Sequence, residues 1–259
     1  NSYARNVVMN YKEVPIQTAA WGLDGICIVN VKVFTERRAH IERELRRFGL
    51  VGELVLEHDA HEITSELDAR YYLPNPQLTN GHKSCGLKHI AIMQRVVARG
   101  WRYCLVLEDD AILHRNFKQG VESALRELKR DYANTPAVAF IGCGGNWYTP
   151  RRQRRKGQHL YPARKGRFTD SYIINADAAR KRLDWIARNK MRHAIDNAFD
   201  IMDTELGVQM LWLEPTVVDQ GTKRGLFNSS LDGRWPSVVQ GCLHAWEKFR
   251  HKYLYQLWR

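Results

Sequence analysis

Three consecutive carboxylates, Glu108, Asp109 and Asp110, directly follow the apolar run "YCLVL". The run has the length and composition of a buried strand, so the carboxylates stand at its carboxyl end. Ligands bind at that edge of an open α/β sheet, and adjacent carboxylates repel one another unless a cation or basic groups compensate their charge. Mg²⁺ or Mn²⁺, held by one or two carboxylates together with substrate phosphates, is such a cation. A solvated acidic turn is the alternative interpretation.

Strand and helix patterns alternate on both sides of this motif. A β-branched run at 25–33, an amphipathic stretch at 35–48 closed by Gly49, and an apolar run at 52–58 predict a βαβ unit. This order indicates an α/β fold with a mostly parallel central sheet. Further helices are predicted at about 84–99, 117–129, 177–188 and 195–206, and further strands at 103–107, 137–145, 171–175 and 208–215.

The composition is that of an ordinary globular protein. The chain has 259 residues, with 40 Lys and Arg against 28 Asp and Glu for a net charge of +12, and 44% of its residues are hydrophobic. These values exclude the collagen-like, low-complexity and intrinsically disordered classes. No apolar run approaches the roughly 20 residues of a membrane-spanning helix, so we expect a soluble or peripheral protein. Because the first residue is Asn, removal of a targeting segment stays open.

The cysteines predict free thiols rather than a disulfide framework or a zinc site. Their number is odd, no CxxC pair occurs, and three of them lie in apolar runs that read as buried strands. Such thiols are typical of a reducing compartment, so we expect a cytoplasmic location. The cysteines are Cys27, Cys85, Cys104, Cys143 and Cys242.

Six segments in chain order, taken together, resemble glycosyltransferase family 25, the lipopolysaccharide and collagen-type sugar transferases with a GT-A fold. The resemblance runs from about residue 25 to residue 231. Its segments are "VNVKVFTERR", "LTNGHKSCGLKHIAI", "YCLVLEDDAIL", "DSYIINADAARKRL", "AIDNAFDIMD" and "LWLEPTVVDQGT", with a later "NSSL".

The resemblance implies a metal-dependent, inverting enzyme that uses Mn²⁺ or Mg²⁺ and a UDP-sugar, usually UDP-galactose or UDP-glucose. Residues 1–24 show no convincing period and are expected to form an N-terminal extension, and the resemblance implies one GT-A-like domain at 25–259. In that domain, 25–146 would form the nucleotide-binding half and 147–259 the acceptor half, with a basic loop at 151–167 and a C-terminal helix.

The family's motif positions carry over to individual residues of this chain. Glu108 and Asp110 match the carboxylates of the metal motif, and Ser229 or Ser230 matches a closing Ser. The residues expected to contact the nucleotide sugar are Asn30, Arg37, Arg38, Gly81, Cys85, His89, Asp109, Tyr172 and Gln220. Departures from the family pattern, which bear on donor specificity, occur at Val31, Val33, His82, Ser84, Lys88, Ala194 and Ile195.

Asp196 is the expected catalytic base. Inversion by direct displacement needs a carboxylate that takes the proton from the attacking hydroxyl, and Asp196 follows the helix after the late strand, where the family's fold brings the acceptor. The alternative is that Asp196 caps the following helix. Asp170 and Asp200 are the reserve candidates for the base.

Several other residues have two interpretations each. Cys85 is expected to be a packing thiol rather than a nucleophile, and His89 to hold a loop rather than transfer protons. Trp147 and Tyr148 either stack on an acceptor sugar or pack in the core. His58 and His61, in the segment "HDAH", are not accompanied by the further ligands that a zinc site needs.

The segment 151–167 contains eight Lys or Arg residues and no acidic residue, which predicts a solvated, mobile loop. With the aromatic and basic tail "CLHAWEKFRHKYLYQLW", it suggests an anionic, lipid-linked glycan acceptor such as lipopolysaccharide core, or contact with the inner face of a membrane. The alternative is that the positive charge of this segment serves only solubility.

Two rival functions are a degenerate glycan-binding protein and a nucleic-acid-binding protein. The sequence lacks a base-reading motif, so we expect no nucleic-acid partner.

Overall fold

The computed structural model describes residues 20–227, together with Trp246 and Arg250. Ser229, Ser230, the predicted C-terminal helix and most of the predicted N-terminal extension lie outside the described residues. The strands are β1 (Gly25–Val29), β2 (Glu53–Val55), β3 (Tyr103–Glu108), β4 (Ala111–Leu113), β5 (Ala137–Phe140), β6 (Leu160–Ala163), β7 (Ser171–Asn175), β8 (Gln209–Leu213) and β9 (Val218–Gln220). The α-helices are α1 (Thr35–Arg46), α2 (Ser65–Tyr71), α3 (Asn80–Ala98), α4 (Phe117–Asp131), α5 (Ala176–Asn189) and α6 (Ile195–Leu206).

A central sheet organises the described part of the chain, with strand order β2-β1-β3-β7-β5-β8-β6. Strands β1, β2, β3, β5 and β8 run in one direction, whereas β7 and β6 run opposite to them. The predicted α/β class and mostly parallel sheet are therefore confirmed. A separate antiparallel ribbon pairs β4 with β9.

Helices cover both faces of this sheet, and alternate side chains of β3 divide between two apolar cores. Cys104 and Val106 belong to the core that packs under α3, α5 and α6. Leu105 and Leu107 belong to the core under α1 and α4. Because β3 is buried on both faces, its sequence is continuously apolar until it reaches Glu108.

Two pairings bring distant segments to the carboxyl end of β3. Leu107 of β3 lies opposite Ser171 of β7, and Glu108 N donates to Asp170 O at 2.9 Å. The residues immediately before β7 therefore face the end of β3. In the ribbon, Ala111 lies opposite Gln220, which brings the turn after β9 against the acidic motif.

Local signals explain where the predicted helices begin. Helix α3 begins at Asn80 rather than near 84, because the Thr79 hydroxyl accepts a hydrogen bond from His82 N and the Thr79 backbone N–H donates one to the His82 side chain. Helix α6 occupies the predicted residues. Helix α2 and strand β9 were not predicted; each has fewer than eight residues, too few for a clear period.

The prediction of a solvated loop at 151–167 is wrong for part of that segment. Residues Leu160–Ala163 form the edge strand β6, and Arg167 is fully buried, where it pairs with Glu214. Arg154 pairs with the same carboxylate at 2.9 Å. The buried Glu214 needs compensating charge, and two arginines of this segment supply it.

The cysteines that the structure describes are thiols rather than members of disulfides, as predicted, and Cys242 lies outside the described residues. Among the helices that the structure describes, none has both the length and the apolar character needed to cross a lipid bilayer.

A buried ion pair joins α5 to α6, the helix that carries Asp196. The Arg182 guanidinium donates to both Asp203 oxygens, at 2.8 and 2.5 Å, and both side chains are fully buried. We expect Asp203→Asn to lower the free energy of unfolding by about 3–5 kcal/mol, because it leaves a buried charge unpaired. Chemical denaturation monitored by circular dichroism measures this loss.

The exposed pair between Arg180 and Asp177 on α5 is the matched control. Asp177→Asn should cost less than about 1 kcal/mol. Equal losses in the two variants would contradict a special contribution from the buried pair.

Candidate active site

The side chains of the acidic motif point to three different sets of partners. Asp109 contacts residues of the first strand–helix unit, Asp110 contacts the turn after β9, and Glu108 contacts the segment before β7. The turn from β3 into β4 spreads the carboxylates apart, which reduces their repulsion.

Asp109 joins the acidic motif to the end of β1 and to α1. Asn30 Nδ2 donates to one Asp109 oxygen at 2.8 Å, and Arg37 lies 3.3 Å from the other. Burial raises the pKa of Asp109 to about 6, while Arg37 and Asn30 oppose that rise. Two residues that the resemblance associates with the nucleotide thus meet the acidic motif directly.

One carboxylate oxygen of Asp110 accepts hydrogen bonds and the other accepts none from the described residues. Its Oδ2 accepts hydrogen bonds from the backbone N, at 2.9 Å, and from the hydroxyl of Thr222. Its Oδ1 is buried and has no hydrogen-bond partner among the described residues. The Gln220 Oε1 atom is also buried without a hydrogen-bond partner among the described residues, while Gln220 Nε2 lies 3.5 Å from Glu108 Oε2. Buried oxygens without donors are suited to a hard divalent cation.

Thr169 lies beside both Glu108 and the expected base. Its hydroxyl donates to Glu108 Oε1 at 3.0 Å, and Thr169 and Asp196 line the same pocket. Burial and the neighbouring carboxylate raise the pKa of Asp196 to about 6. Burial and Asp110 raise the pKa of Glu108 to about 7.

Asp170 and Lys223 complete the charged lining of this edge. Burial and the charge of Glu108 raise the pKa of Asp170, which accepts a hydrogen bond from Ser171 at 2.9 Å. Burial lowers the pKa of Lys223, whereas Asp170 and Asp196 oppose that change. The Lys223 ammonium donates to Gly144 O and lies 4.2 Å from the ring of Phe168.

His89 and Cys85 approach Glu108 from α3. His89 is completely buried; its Nδ1 lies 2.9 Å from the Tyr172 hydroxyl and its Nε2 lies 3.9 Å from Glu108 Oε1. Burial lowers the pKa of His89 to about 4. Burial, with smaller contributions from Glu108 and Asp196, raises the pKa of the Cys85 thiol.

Asp196 is not an N-cap. Helix α6 has Ala194 at its N-cap, and Asp196 is the second residue of the helix. The capping alternative is therefore wrong, and the carboxylate faces a small pocket beside the acidic motif. This pocket is lined by Phe140, Trp147, Gly166, Phe168, Thr169, Asp196, Asn197, Phe199 and Asp200.

Three residues expected at the nucleotide do not touch the carboxylates of the acidic motif. Arg38 lies on the exposed face of α1 and pairs with Glu42, because the two are one helical turn apart. Tyr172 is fully buried in the core, where it packs between Phe140 and Phe199 and reaches the motif only through His89. Gly81 is the second residue of α3.

Sequence reasoning missed Thr169, Thr222 and Lys223. Thr222 and Lys223 follow Gln220 closely in "DQGTK", so the pairing of β9 with β4 could have indicated them, but β9 itself gave no clear pattern. Thr169 precedes the strand "SYIIN" and reaches Glu108 only because β7 pairs antiparallel with β3.

The raised pKa of Asp196 predicts a pH-dependent stability. An Asp ionises near pH 3.9 in the unfolded chain but near 6 in the folded protein, so the folded state holds the extra proton between these values. Stability therefore falls as pH rises from about 4 to 6. In EDTA, Asp196→Asn should gain about 2 kcal/mol relative to the parent protein between pH 4.5 and 7.5. Urea denaturation at the two pH values measures this gain.

The exposed Asp177, changed to Asn, gives the baseline for that comparison. A stability difference between Asp196→Asn and the parent that stays constant with pH would contradict the buried, proton-retaining state of Asp196.

The sequence of this chain matches a known protein family. Residues 24–199 match the family described as glycosyltransferase family 25 (LPS biosynthesis protein). The "Probable inactive glycosyltransferase 25 family member 3" of Bos taurus is 25% identical over 181 residues, which cover 65% of this chain and 30% of that protein. Procollagen galactosyltransferase 1 of Danio rerio is 23% identical over 180 residues, which cover 66% of this chain and 30% of that protein.

This chain thus spans about 30% of the length of those two relatives. Among solved structures, apo mouse xyloside xylosyltransferase 1 is similar at a TM-score of 0.41 and 13% identity, over 72% of this chain and 83% of that one. The family match covers well over half of the residues, and the protein belongs to glycosyltransferase family 25.

Proposed function

We propose that this protein transfers a hexose, galactose or glucose, from a UDP-sugar to a glycan acceptor with inversion, assisted by Mn²⁺ or Mg²⁺. The observation that carries the proposal is the cluster of polar side chains at the end of β3, where Thr169 donates to Glu108 of the acidic motif and lines the same pocket as Asp196. Membership of glycosyltransferase family 25 supports the reaction class.

The donor half of the reaction would use the acidic motif. Glu108, Asp110 and Gln220 would hold the ion, because they offer oxygen ligands and two of those oxygens are buried without donors. A bound divalent ion neutralises charge on the departing diphosphate. Arg37 reaches the same edge through Asp109 and adds positive charge there.

The acceptor half would use Asp196. A base works best when its pKa lies near the operating pH, and a pKa of about 6 leaves Asp196 mostly ionised at neutral pH but still able to take a proton. The pocket beside it contains Trp147, whose ring offers a stacking surface for a sugar. Asp200 lines the same pocket but accepts a hydrogen bond from Gly166 N at 2.6 Å, which favours Asp196 as the base.

The acceptor is proposed to be anionic and lipid-linked, such as lipopolysaccharide core, with the protein at the cytoplasmic face of the membrane. The basic segment borders the acceptor pocket, since Gly166 lines it and Lys165 Nζ lies 3.1 Å from the centre of the Trp147 ring. Arg151, Arg152 and Arg155 of that segment are exposed. Positive charge beside the pocket would attract an anionic acceptor or headgroup.

A catalytically inactive, glycan-binding member of the family is the second candidate. It is favoured by the name of the Bos taurus relative, which is described as inactive. The metal experiment below separates the two candidates, because an inactive member would show no Mn²⁺-dependent turnover of the donor.

The first functional prediction concerns the acidic motif. Asp110→Asn should remove Mn²⁺-dependent binding of UDP and lower turnover by orders of magnitude, because it neutralises the proposed ion ligand while keeping its shape. Calorimetric titration of UDP with and without Mn²⁺ measures the binding. The exposed Asp131→Asn serves as the control. Full activity of the parent protein in EDTA would refute the assignment.

The second functional prediction concerns the base. Asp196→Asn should lower turnover by about 10²–10⁴-fold, the usual contribution of general-base catalysis. Its affinity for UDP with Mn²⁺ should stay near that of the parent, because Asp196 acts on the acceptor. Asp200→Asn provides the comparison in the same pocket. A larger loss of turnover in Asp200→Asn than in Asp196→Asn would transfer the role to Asp200.

The third functional prediction concerns the basic segment. Replacing Arg151, Arg152, Arg155 and Lys156 with Gln, while sparing the Arg154 that pairs with Glu214, should weaken binding to phosphatidylglycerol vesicles by about 10²-fold or more at low salt. The loss should shrink as salt rises, and hydrolysis of the donor should stay unchanged. Vesicle co-sedimentation measures the binding.

The matched control removes four exposed cations from α1 and α5, namely Arg43, Arg46, Arg180 and Lys181. Equal loss of vesicle binding in the two fourfold variants would mean that net charge alone acts. No loss in the first variant would direct the search to neutral acceptors.

A further inference from the structure

We propose that Cys85, His89 and Glu108 form a second metal site, suited to Zn²⁺, at the Oε1 oxygen of Glu108. This site goes beyond the Mn²⁺ or Mg²⁺ proposed for the diphosphate and does not depend on it. The Cys85 Sγ, a His89 ring nitrogen and a Glu108 carboxylate oxygen all lie within 4.8 Å of one another. The three side chains converge from α3 and from the end of β3.

The helix places two of these ligands on one face. Cys85 and His89 are four residues apart on α3, so their side chains lie one above the other. The same spacing sets two metal ligands on one helical face in known zinc proteins. Cys85 as a residue is partly exposed, whereas His89 has no exposed surface.

His89 supplies an independent sign of a missing ligand. The residue has no exposed surface, and its Nε2 makes no hydrogen bond with any described residue, although it points towards Glu108 Oε1 from 3.9 Å. That distance is too long for a hydrogen bond. If Nδ1 donates its proton to the Tyr172 hydroxyl, Nε2 turns a lone pair towards a carboxylate. A cation between the two atoms removes this conflict.

The hydrogen bond to Tyr172 is the contact that ligating histidines usually make. A histidine bound to a metal through one nitrogen almost always donates its other N–H to a nearby oxygen, which fixes the ring orientation. The Tyr172 hydroxyl lies 2.9 Å from His89 Nδ1 and is buried with it. The orientation of His89 is therefore already that of a ligand.

The donor types select the ion. A thiolate, an imidazole and a carboxylate suit Zn²⁺, whereas Mg²⁺ and Mn²⁺ prefer oxygen ligands. Ligand atoms on one tetrahedral zinc lie roughly 3.3–3.6 Å apart, given bonds of about 2.0–2.3 Å, so small rotations of the side chains close the site. A fourth position is left for water.

The two oxygens of Glu108 separate this site from the hard-ion site. Oε1 faces His89 and Thr169, whereas Oε2 faces Gln220. Asp110 is held by the turn after β9 and takes no part in the three-residue group. The two proposed sites therefore share Glu108 through different oxygens, and a substitution at Asp110 or at Cys85 changes a ligand of only one of them.

Cobalt substitution tests the proposal through the spectrum of the bound ion. Co²⁺ added to the full chain should produce a thiolate-to-cobalt charge-transfer band that saturates at one equivalent and disappears when Zn²⁺ is added. Cys85→Ser should lose this band. Cys143→Ala should keep it, although the Cys143 Sγ also contacts a carboxylate, that of Asp219, at 3.2 Å.

Two further variants complete the experiment. Tyr172→Phe, which keeps the ring in the core, should bind Co²⁺ about 10–100-fold more weakly because His89 loses its orienting partner. Asp110→Asn should keep the cobalt band even where it loses Mn²⁺-dependent UDP binding, so failure of one metal site is distinguished from failure of the other. The proposal is overturned if the parent protein gives no charge-transfer band, if Cys85→Ser retains the band, or if Tyr172→Phe binds Co²⁺ as tightly as the parent.

Discussion

Burial of several carboxylates at one edge of the sheet is the constraint that shapes this protein. Burial raises the pKa of Glu108, Asp109, Asp170 and Asp196, so each of them is costly to ionise in the folded chain. The described residues offset this cost with Arg37, with Lys223 and with donors such as Thr169. Two buried oxygens, Asp110 Oδ1 and Gln220 Oε1, remain without donors among the described residues, and they are the basis for proposing a cation at this edge.

The topology of the sheet assembles this edge from distant parts of the chain. Strand β3 is held in two apolar cores and delivers Glu108 at a defined position. The antiparallel β7 brings Thr169 and Asp170 beside it, and the ribbon of β4 and β9 brings Gln220. Helix α6, joined to α5 by the buried Arg182–Asp203 pair, presents Asp196. The expected base and the acidic motif thus lie at the same edge of the sheet.

Much of this arrangement could be predicted from local pattern. The apolar run before Glu108 and the alternation of strands and helices predicted the α/β class and its mostly parallel sheet, because both signals are carried by consecutive residues. Helix α6 was predicted at its observed bounds for the same reason. The contacts of Arg37 and Asn30 with Asp109 agree with the positions that the family resemblance singled out.

The features that the sequence did not predict depend on pairing between distant segments, and a local sequence pattern carries no information about such pairing. Glu214 draws Arg167 into the core from 47 residues away, so a run that reads as a solvated loop becomes partly buried. Arg38 and Arg37 are neighbours, yet the helix turns Arg38 to the solvent. The antiparallel pairing of β7 with β3 brings Thr169 into hydrogen-bonding contact with Glu108.

The central claim is that the edge at Glu108 and Asp110 holds a divalent ion together with the donor diphosphate. Crystals of the full chain grown with UDP and Mn²⁺, measured at the manganese absorption edge, test it most directly. The account predicts one anomalous peak between the Asp110 and Glu108 carboxylates, in contact with the diphosphate of UDP. UDP bound with no manganese peak at these carboxylates, or a manganese peak with the diphosphate bound elsewhere, would contradict the account.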